Sequence, residues 1–523
     1  MDNENANPIR NIVVVGGGTA GWITAGLIAA GNARRGDSPV AVTLVESPRV
    51  GTIGVGEGTW PTMRTTLQTL GISEAQFLEA CTATFKQGTR FVDWVTGDAE
   101  DVYYHPFTAP AGYPGTDLAS DWRHERPGLS FTDAVSPQGM VCDRGLGPKQ
   151  AQTPEYAGVL NYAYHLDAGK FAALLTDHCT CALNVKHVLD HITSINAAGN
   201  GDIASLETTS HGAIEGDLFV DCSGMRSMLL GEHFGVPFVD RSDVLFNDTA
   251  LAVQAPYAEP GAPIASQTIS TARPFGWIWD IGLVKRRGIG YVYSSRHGSD
   301  DEAAAILEDY LRSTGTPTDA TPAPRKISFA PGHRDHFWHR NCVAVGMSSG
   351  FIEPLEASAL VMVELSARMI TEELPANREI MDIVARRFND KFQYRWARII
   401  DFLKLHYVLS RRDDSDYWRD NRSRASIPDR LLESIELWRY RPPGPSDFPH
   451  VDEIFSAASH QYVLYGMAPA FARGPLGSTE AQGAHARALY DDNVRKANQC
   501  LAQLTPNRAL LEQIAQQGLP AAG

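Results

Sequence analysis

Three glycines near the start of the chain, Gly16, Gly18 and Gly21, stand in the order Gly-x-Gly-x-x-Gly. This spacing allows a tight turn, a close approach of backbone to a pyrophosphate, and close packing of a helix on a strand. Thr19 and Ala20 fall between the second and third glycine, where unpaired N–H groups of a helix start would meet phosphate oxygens. Glu46 follows Gly21 by 25 residues and can accept hydrogen bonds from a ribose. Cys179-Thr180-Cys181 offers two thiols, but no second pair has metal-ligand spacing. The seven cysteines therefore read as reduced structural thiols, and the site as metal-free. Trp277 and Trp279, taken by composition, are core aromatics.

The elements around the fingerprint fit it. Residues 11–15, Asn-Ile-Val-Val-Val, form a short apolar β-branched run, as a buried parallel strand requires. Trp22 to Ala30 follows as an apolar helical stretch, and Val40 to Val45 as a second strand ending at Glu46. A βαβ unit thus opens the chain. Further strands are expected at Leu218–Asp221, Gly290–Ser294 and Asn341–Gly346. Phe388, Phe392, Trp396, Ile399, Leu403 and His406 recur every three or four residues, which predicts a long amphipathic helix from Arg386 to Ser410. The C-terminal third is expected to be mostly helical. Only one dinucleotide fingerprint is present. Two later strand-to-turn segments, Leu218 to Gly224 and Val343 to Gly346, suit the returning strands with which large flavoproteins touch FAD, so FAD is favoured over NAD. With no second nicotinamide site visible, electrons must come from elsewhere, as reduced flavin from another protein.

Composition narrows the classes further. The chain has 523 residues, with Lys+Arg 46 against Asp+Glu 61 and a formal charge of −15. That balance argues against nucleic-acid partners and anionic membrane surfaces. Hydrophobic residues at 43% and charged residues at 20% describe a globular chain able to bury a core without staples. No apolar stretch reaches the ~18 residues of a membrane span, and no secretory signal is evident, so a cytoplasmic location is expected.

The chain resembles the flavin-dependent tryptophan halogenase family. The resemblance is carried by Gly16-Gly17-Gly18-Thr19-Ala20-Gly21-Trp22, Gly54-Val55-Gly56-Glu57-Gly58-Thr59, Phe85-Lys86, Gly276-Trp277-Ile278-Trp279-Asp280-Ile281 and Glu353-Pro354-Leu355-Glu356-Ala357-Ser358. The tract Asp401 to Tyr407, with Arg412-Asp413-Asp414, is also typical. The resemblance implies that FADH2, oxygen and a halide, chloride or bromide, give hypohalous acid, which crosses a tunnel to a lysine beside an electron-rich aromatic substrate. Lys86 matches that lysine and Glu356 the glutamate that works with it. Whether the lysine hydrogen-bonds the acid or forms a haloamine stays open at this stage. A halide would sit on the backbone amides at Ser358 and Ala359, where the family more often has Thr-Gly. Ile53, Gly54, Val188 and Met347 match flavin contacts. Trp277 and Trp279 lie near the tunnel in the family, and Gly282 stands where its proline is expected, which puts tunnel rigidity in question. His105, Pro106 and Phe107 match a loop flanking the substrate.

The expected fold is α/β, a Rossmann-like FAD-binding flavoprotein of the hydroxylase type, interleaved with a mostly helical substrate module. The expected division is residues 1–400 for FAD, with substrate-loop insertions near 85–165, and residues 401–523 for substrate. Leu355 to Ile370 is expected to be one helix with Pro354 at its first turn. Enzymes acting on free tryptophan carry a Tyr-Tyr pair where this chain has His460-Gln461, so an indole, a tryptophan within a larger molecule, or another electron-rich aromatic is at least as well supported as the free amino acid. The implied partner is a separate flavin reductase, and the resemblance is compatible with a homodimer. The alternative function is an FAD-dependent aromatic hydroxylase.

Overall fold

The structure, a computed structural model, describes residues 8–36, 39–49, 51, 56–98, 101–450, 453–472 and 480–521, with only the backbone of 480–482. Ile53 and Gly54 lie outside the described residues.

The β-branched run at the start becomes the strand Asn11–Val15, with every residue after Asn11 buried. It is central in a six-stranded sheet in the order Trp338–His339, Cys342–Ala344, Leu218–Asp221, Asn11–Val15, Ala41–Glu46, Lys186–Leu189. All pairings are parallel except the Trp338–His339 edge. Strands buried on both faces must be apolar throughout, which is why this region reads as runs and not as alternation. The helix Thr19–Ala30 is apolar nearly all round and buried over most of its length. It packs between the helices Ser358–Glu372 and Ala168–Cys181.

A second sheet of seven strands carries the other half of the chemistry. Its order is Arg325–Ser328, Thr249–Pro256, Arg286–Tyr293, Gly276–Gly282, Thr268–Arg273, Gly88–Val92, Val102–Pro106. A small sheet packs against it, Gly56–Gly58 and Thr84–Lys86 flanking Ala163–Asp167. The C-terminal part is helical, as expected, and the long helix runs Arg378–Leu409 with all six periodic residues buried. It starts earlier than the periodicity suggests, because Asn377 caps it through the Ile380 amide. Residue 400 falls inside this helix.

One expectation is corrected. Leu355 to Ile370 is not one helix: a short turn, Leu355–Ala357, is followed by the helix Ser358–Glu372. Glu356 (φ 64°) and Ala357 (φ 54°) are both left-handed. Two successive left-handed residues break the helix, so its true start is Ser358, which is buried, while Ala359 beside it is exposed. Such backbone is costly for residues with a Cβ, and it concentrates where a site needs it.

Gly282 is contacted from two sides at the strand end. Its carbonyl accepts a 2.6 Å bond from Thr84 Oγ1, and Ile264 and Tyr257 fill the space beside its Cα. Buried ionic groups stiffen the lysine strand from behind. Glu74 accepts from Lys149 Nζ (2.8 Å) and from the hydroxyls of Tyr162 and Tyr164 (2.6 Å each), and both rings pack on Phe85.

Candidate active site

The three fingerprint glycines do three different things. Gly16 has φ +116°, and a Cβ there would lie 2.2 Å from the Cys222 carbonyl oxygen. Gly21 lies so close to the turn that a Cβ would stand 1.8 Å from the Gly16 carbonyl oxygen. Gly18 has open space on its Cα and ordinary extended backbone (φ −74°, ψ 178°). The helix that begins at Thr19 has no side-chain cap and no acidic residue in its first turn. Its free N–H groups and positive dipole end are left for an anion. Glu46, at the end of the second strand, leans over Gly17, where a Cβ would be 1.5 Å from Oε2, and its Oε1 lies 2.7 Å from His187 Nε2. Gly346 (φ +75°) brings the turn before Met347 against Ala20. An uncapped helix start, an open glycine and a carboxylate at the next strand end fit a dinucleotide. Val188 sits in the neighbouring strand, paired with Val45, its side chain buried in the core of that sheet.

This geometry yields a separable test. Gly18→Asp needs no unusual φ, has room, and places a carboxylate at the cap position of the helix. The helix should be as stable or more so, while the charge repels a pyrophosphate at the same spot. We expect an unchanged or raised Tm together with at least about tenfold weaker FAD binding by flavin-fluorescence titration, since like-charge contact costs on the order of a few kcal/mol.

The second centre lies around Lys86. It ends the strand Thr84–Lys86 and is 1% exposed. Burial pushes its ammonium down to about 8, against the pull of the Glu356 charge. Nζ stands 5.3 Å from the centre of the Phe107 ring, and among the described residues it makes no hydrogen bond. A methyl on Gly58 would stand 3.1 Å from Nζ, 3.5 Å from Ala357 Cβ and 3.6 Å from His165 Cδ2, so that glycine keeps room around the amine.

Glu356 is buried beside it. His105 Nδ1 lies 2.7 Å from Oε1, and His406 Nε2 lies 3.5 Å from the same oxygen. Burial alone would raise this carboxyl; the two histidines outweigh it and hold it down to about 2. His406 Nδ1 is 2.7 Å from the Tyr103 hydroxyl, so a polar row runs Tyr103, His406, Glu356, His105 through an otherwise aromatic interior. The left-handed Glu356 backbone is held by Trp60, whose indole N–H donates to its carbonyl at 2.8 Å. Ser358 and Ala359 follow as the first residues of their helix, which has no side-chain cap and no acid in its first turn.

Trp277 and Trp279 are both buried on the strand Gly276–Gly282. The Trp277 indole N–H donates at 2.6 Å to Glu353, three residues before Glu356, and the Tyr407 hydroxyl and Asn247 amide donate to the same oxygen at 2.7 Å each. The tryptophan is thereby anchored to the segment that carries Glu356. Burial raises the Glu353 carboxyl.

A cavity of about 370 Å³ opens against this centre, walled on one side by Trp60, His105, Phe107 and Tyr462. Trp60 packs edge-on or tilted against His105 and Phe107 (6.4 and 5.6 Å between centroids). Such walls receive a flat aromatic ring and fix its tilt. His460 and Gln461 do not face it. His460 is surrounded by Phe402, Trp438 and Phe448, and Gln461 Nε2 donates to the Pro443 carbonyl.

The structure thus sets Lys86 against Phe107 and Glu356 against His105. Phe107 and His105 line the cavity with Pro106 between them, and Trp277 is tied to the Glu356 segment. Sequence reasoning missed Trp60, Tyr103 and Glu353 as supports of the site. For His406 a signal existed: it was the one ionisable residue in an apolar helical stripe.

A Rossmann-like α/β core with an uncapped glycine-rich helix start, joined to an aromatic-walled cavity beside a buried amine, is the architecture of a flavin-using enzyme. The tryptophan halogenase family model matches residues 11–477. Tryptophan 6-halogenase SttH of Streptomyces toxytricini is 35% identical over 482 residues, 88% of this chain and 89% of that protein. Among solved structures, the tryptophan halogenase from Shewanella frigidimarina NCIMB 400 superposes with a TM-score of 0.95 at 47% identity, covering 99% of both chains. BrvH, a flavin-dependent halogenase from Brevundimonas sp. BAL3, does so at 0.84 and 34%, covering 97% of this chain and 99% of that one. The chain belongs to the tryptophan halogenase family. It is a flavin-dependent halogenase, and the relatives favour this over the aromatic hydroxylase. No helix among the described residues is long and apolar enough to cross a membrane.

Proposed function

We propose that the chain halogenates an electron-rich aromatic ring of indole type in the cavity beside Phe107, with Lys86 as the residue that presents the halogen. The observation that carries this is the Lys86 amine: buried, without a hydrogen-bond partner among the described residues, and 5.3 Å from the ring that walls the cavity. Gly16, Gly18, Thr19, Ala20, Gly21, Glu46, Val188 and Met347 would hold FAD, and the amides of Ser358 and Ala359 the halide. The chemistry that bound FADH2 supplies, with oxygen and chloride or bromide, is formation of hypohalous acid. A separate flavin reductase provides the FADH2. Residues on both sides of residue 400 line the substrate cavity, Trp60, His105, Phe107 and Leu365 before it and Tyr462 after it, so the substrate and cofactor modules are interleaved in sequence.

Lys86 donates a hydrogen bond to the oxygen of the acid and polarises the oxygen–halogen bond. The ring attacks the halogen, that bond breaks, and the oxygen leaves as water with a proton from the Lys86 ammonium, which is restored by the ring proton that Glu356 collects. Glu356, charged at working pH, stabilises the cationic ring and takes the proton from the substituted carbon. His105 and His406 keep its charge in place. The burial of Lys86 and Glu356 keeps bulk water from the reacting centre, which protects a reactive oxidant from side reactions. The gain of halogen and loss of a proton on the ring balance against water formed from the acid.

Since Lys86 acts as an ammonium, activity should be full below about 8 and decline as pH rises through that value, because the buried amine loses its proton there. The check is single-turnover halogenation against pH at saturating substrate. A rate that climbs through pH 8 would instead assign the step to the neutral amine. The reading as a whole is tested by mass spectrometry of an indole panel incubated with reduced FAD, oxygen, and bromide or chloride. Halogenated product is expected; oxygenated product without halogen would overturn it.

A further inference from the structure

The carboxylate at the mouth of the glycine cradle is held from one side. Glu46 ends the strand Ala41–Glu46, and His187 stands on the neighbouring strand Lys186–Leu189, opposite Leu44. Residues two apart on a strand share a face, so Leu44, Glu46 and His187 point to one side of the sheet. That side carries the Thr19–Ala30 helix: Leu44 belongs to the same buried cluster as Trp22, whereas Val45 and Val188 belong to the cluster on the other face. His187 Nε2 lies 2.7 Å from Glu46 Oε1. A carboxylate only accepts, so the imidazole is the donor.

Trp22 fixes the imidazole ring. It follows Gly21, the last glycine of the fingerprint, and is fully buried. Its indole meets the His187 ring edge-on, with 5.0 Å between centroids and 76° between planes. Packing therefore pins the ring on one side and the hydrogen bond on the other. One oxygen of Glu46 is taken up by that bond. The other, Oε2, reaches over Gly17 and accepts no hydrogen bond among the described residues. The Glu46 and His187 side chains are 24% and 19% exposed, so the free oxygen is open to a ligand.

We propose that His187 is a positioning residue for the cofactor: its bond to Oε1 of Glu46 turns Oε2 toward the ribose hydroxyls of the adenosine half of FAD. This rests on the glycine cradle being the FAD site. A carboxylate that is already held by a donor has lost its rotamer freedom before the ligand arrives, so less is lost on binding. Without the donor it turns freely to solvent, and the hydroxyls gain less from it.

The test needs no turnover. Flavin-fluorescence titration of the full-length protein compares FAD with an FAD analogue whose adenosine ribose lacks both hydroxyls. The unaltered protein should bind FAD at least about tenfold tighter than the analogue, the scale of hydrogen bonds to a charged group. His187→Phe keeps a ring against Trp22 but cannot donate. It should bind FAD about tenfold more weakly, bind the analogue as before, and so lose most of the preference. His187→Gln lacks the ring but places an N–H donor at similar reach, and it should keep the preference. A merely structural role would give the opposite order, with Phe tolerated, Gln not, and both ligands weakened alike; that order, or a preference that survives His187→Phe, overturns the proposal. Circular dichroism checks the fold, and His187→Leu takes the place of His187→Phe if the latter does not fold. Glu46→Ala should abolish the preference, and His187→Phe added to it should weaken FAD no further. Equal affinity for FAD and the analogue in the unaltered protein, or a preference that survives Glu46→Ala, removes the ribose from Glu46 and defeats the cradle reading together with the proposal. A preference that depends on Glu46 but not on His187 defeats only the role of His187.

Discussion

Lys86→Met should halogenate at least about 10²–10³-fold more slowly than the unaltered enzyme while binding FAD as tightly. Removing a single preorganised donor from a water-excluded site typically costs that much. The cofactor cradle lies on a different sheet, so flavin titration should not change. Methionine matches the lysine stem in length and leaves empty only the space of the amine. The variant should also be more stable at pH 7. Lysine titrates near 10.5 in the unfolded chain and at about 8 in this site. Between those values the unfolded chain holds the extra proton, so stability rises with pH across that window, and below it the buried ammonium costs up to about 3 kcal/mol. An uncharged side chain escapes that cost. A raised Tm with halogenation lost and FAD binding kept is the expected combination. Retained halogenation in Lys86→Met would remove the amine from the reaction, and a lost flavin would mean that the two centres are not separable.

Glu356→Gln is the second large effect. Glutamine keeps the size of the side chain and can still meet His105, but the negative charge disappears. We expect kcat to fall about 10²-fold, the lower range for loss of a positioned base or charge, with a smaller change in KM. The pH profile carries a second signature. The Glu356 charge supports the Lys86 ammonium, so its removal should move the alkaline decline of the residual activity below 8. The unaltered carboxyl is held at about 2, chiefly by His105 against the effect of burial. Its charge is complete above the ordinary carboxyl range and is lost only as pH falls toward 2, so no acid limb near neutrality belongs to it. Full activity in Glu356→Gln, or an alkaline limb that stays where it was, would reduce the residue to a structural partner of His105.

The two centres differ in how far the sequence reveals them, and the reason is range. The phosphate cradle is local: Gly16, Gly18, Gly21 and the helix after them are contiguous, and their roles follow from φ, from open space and from an uncapped helix start. The strand pattern around them was equally local, since a buried parallel strand must be apolar at every position. The second centre is assembled from Trp60, Lys86, His105, Glu356 and His406, which are scattered over more than 300 residues. Lys86, Glu356 and His105 were visible in the sequence only through family resemblance, since a lysine or a glutamate looks the same exposed or buried. Sheet pairing and helix packing decided that this lysine loses its water and that this glutamate gains two histidines. They also decided that Pro354 does not begin a continuous helix, because Glu356 and Ala357 adopt left-handed backbone that tertiary contacts such as the Trp60 bond must hold. Turn chemistry and apolar periodicity are written in neighbouring residues and survive in the bare sequence. The charge state of a buried group depends on what the fold brings within a few ångströms of it, and that exists only once the chain has closed.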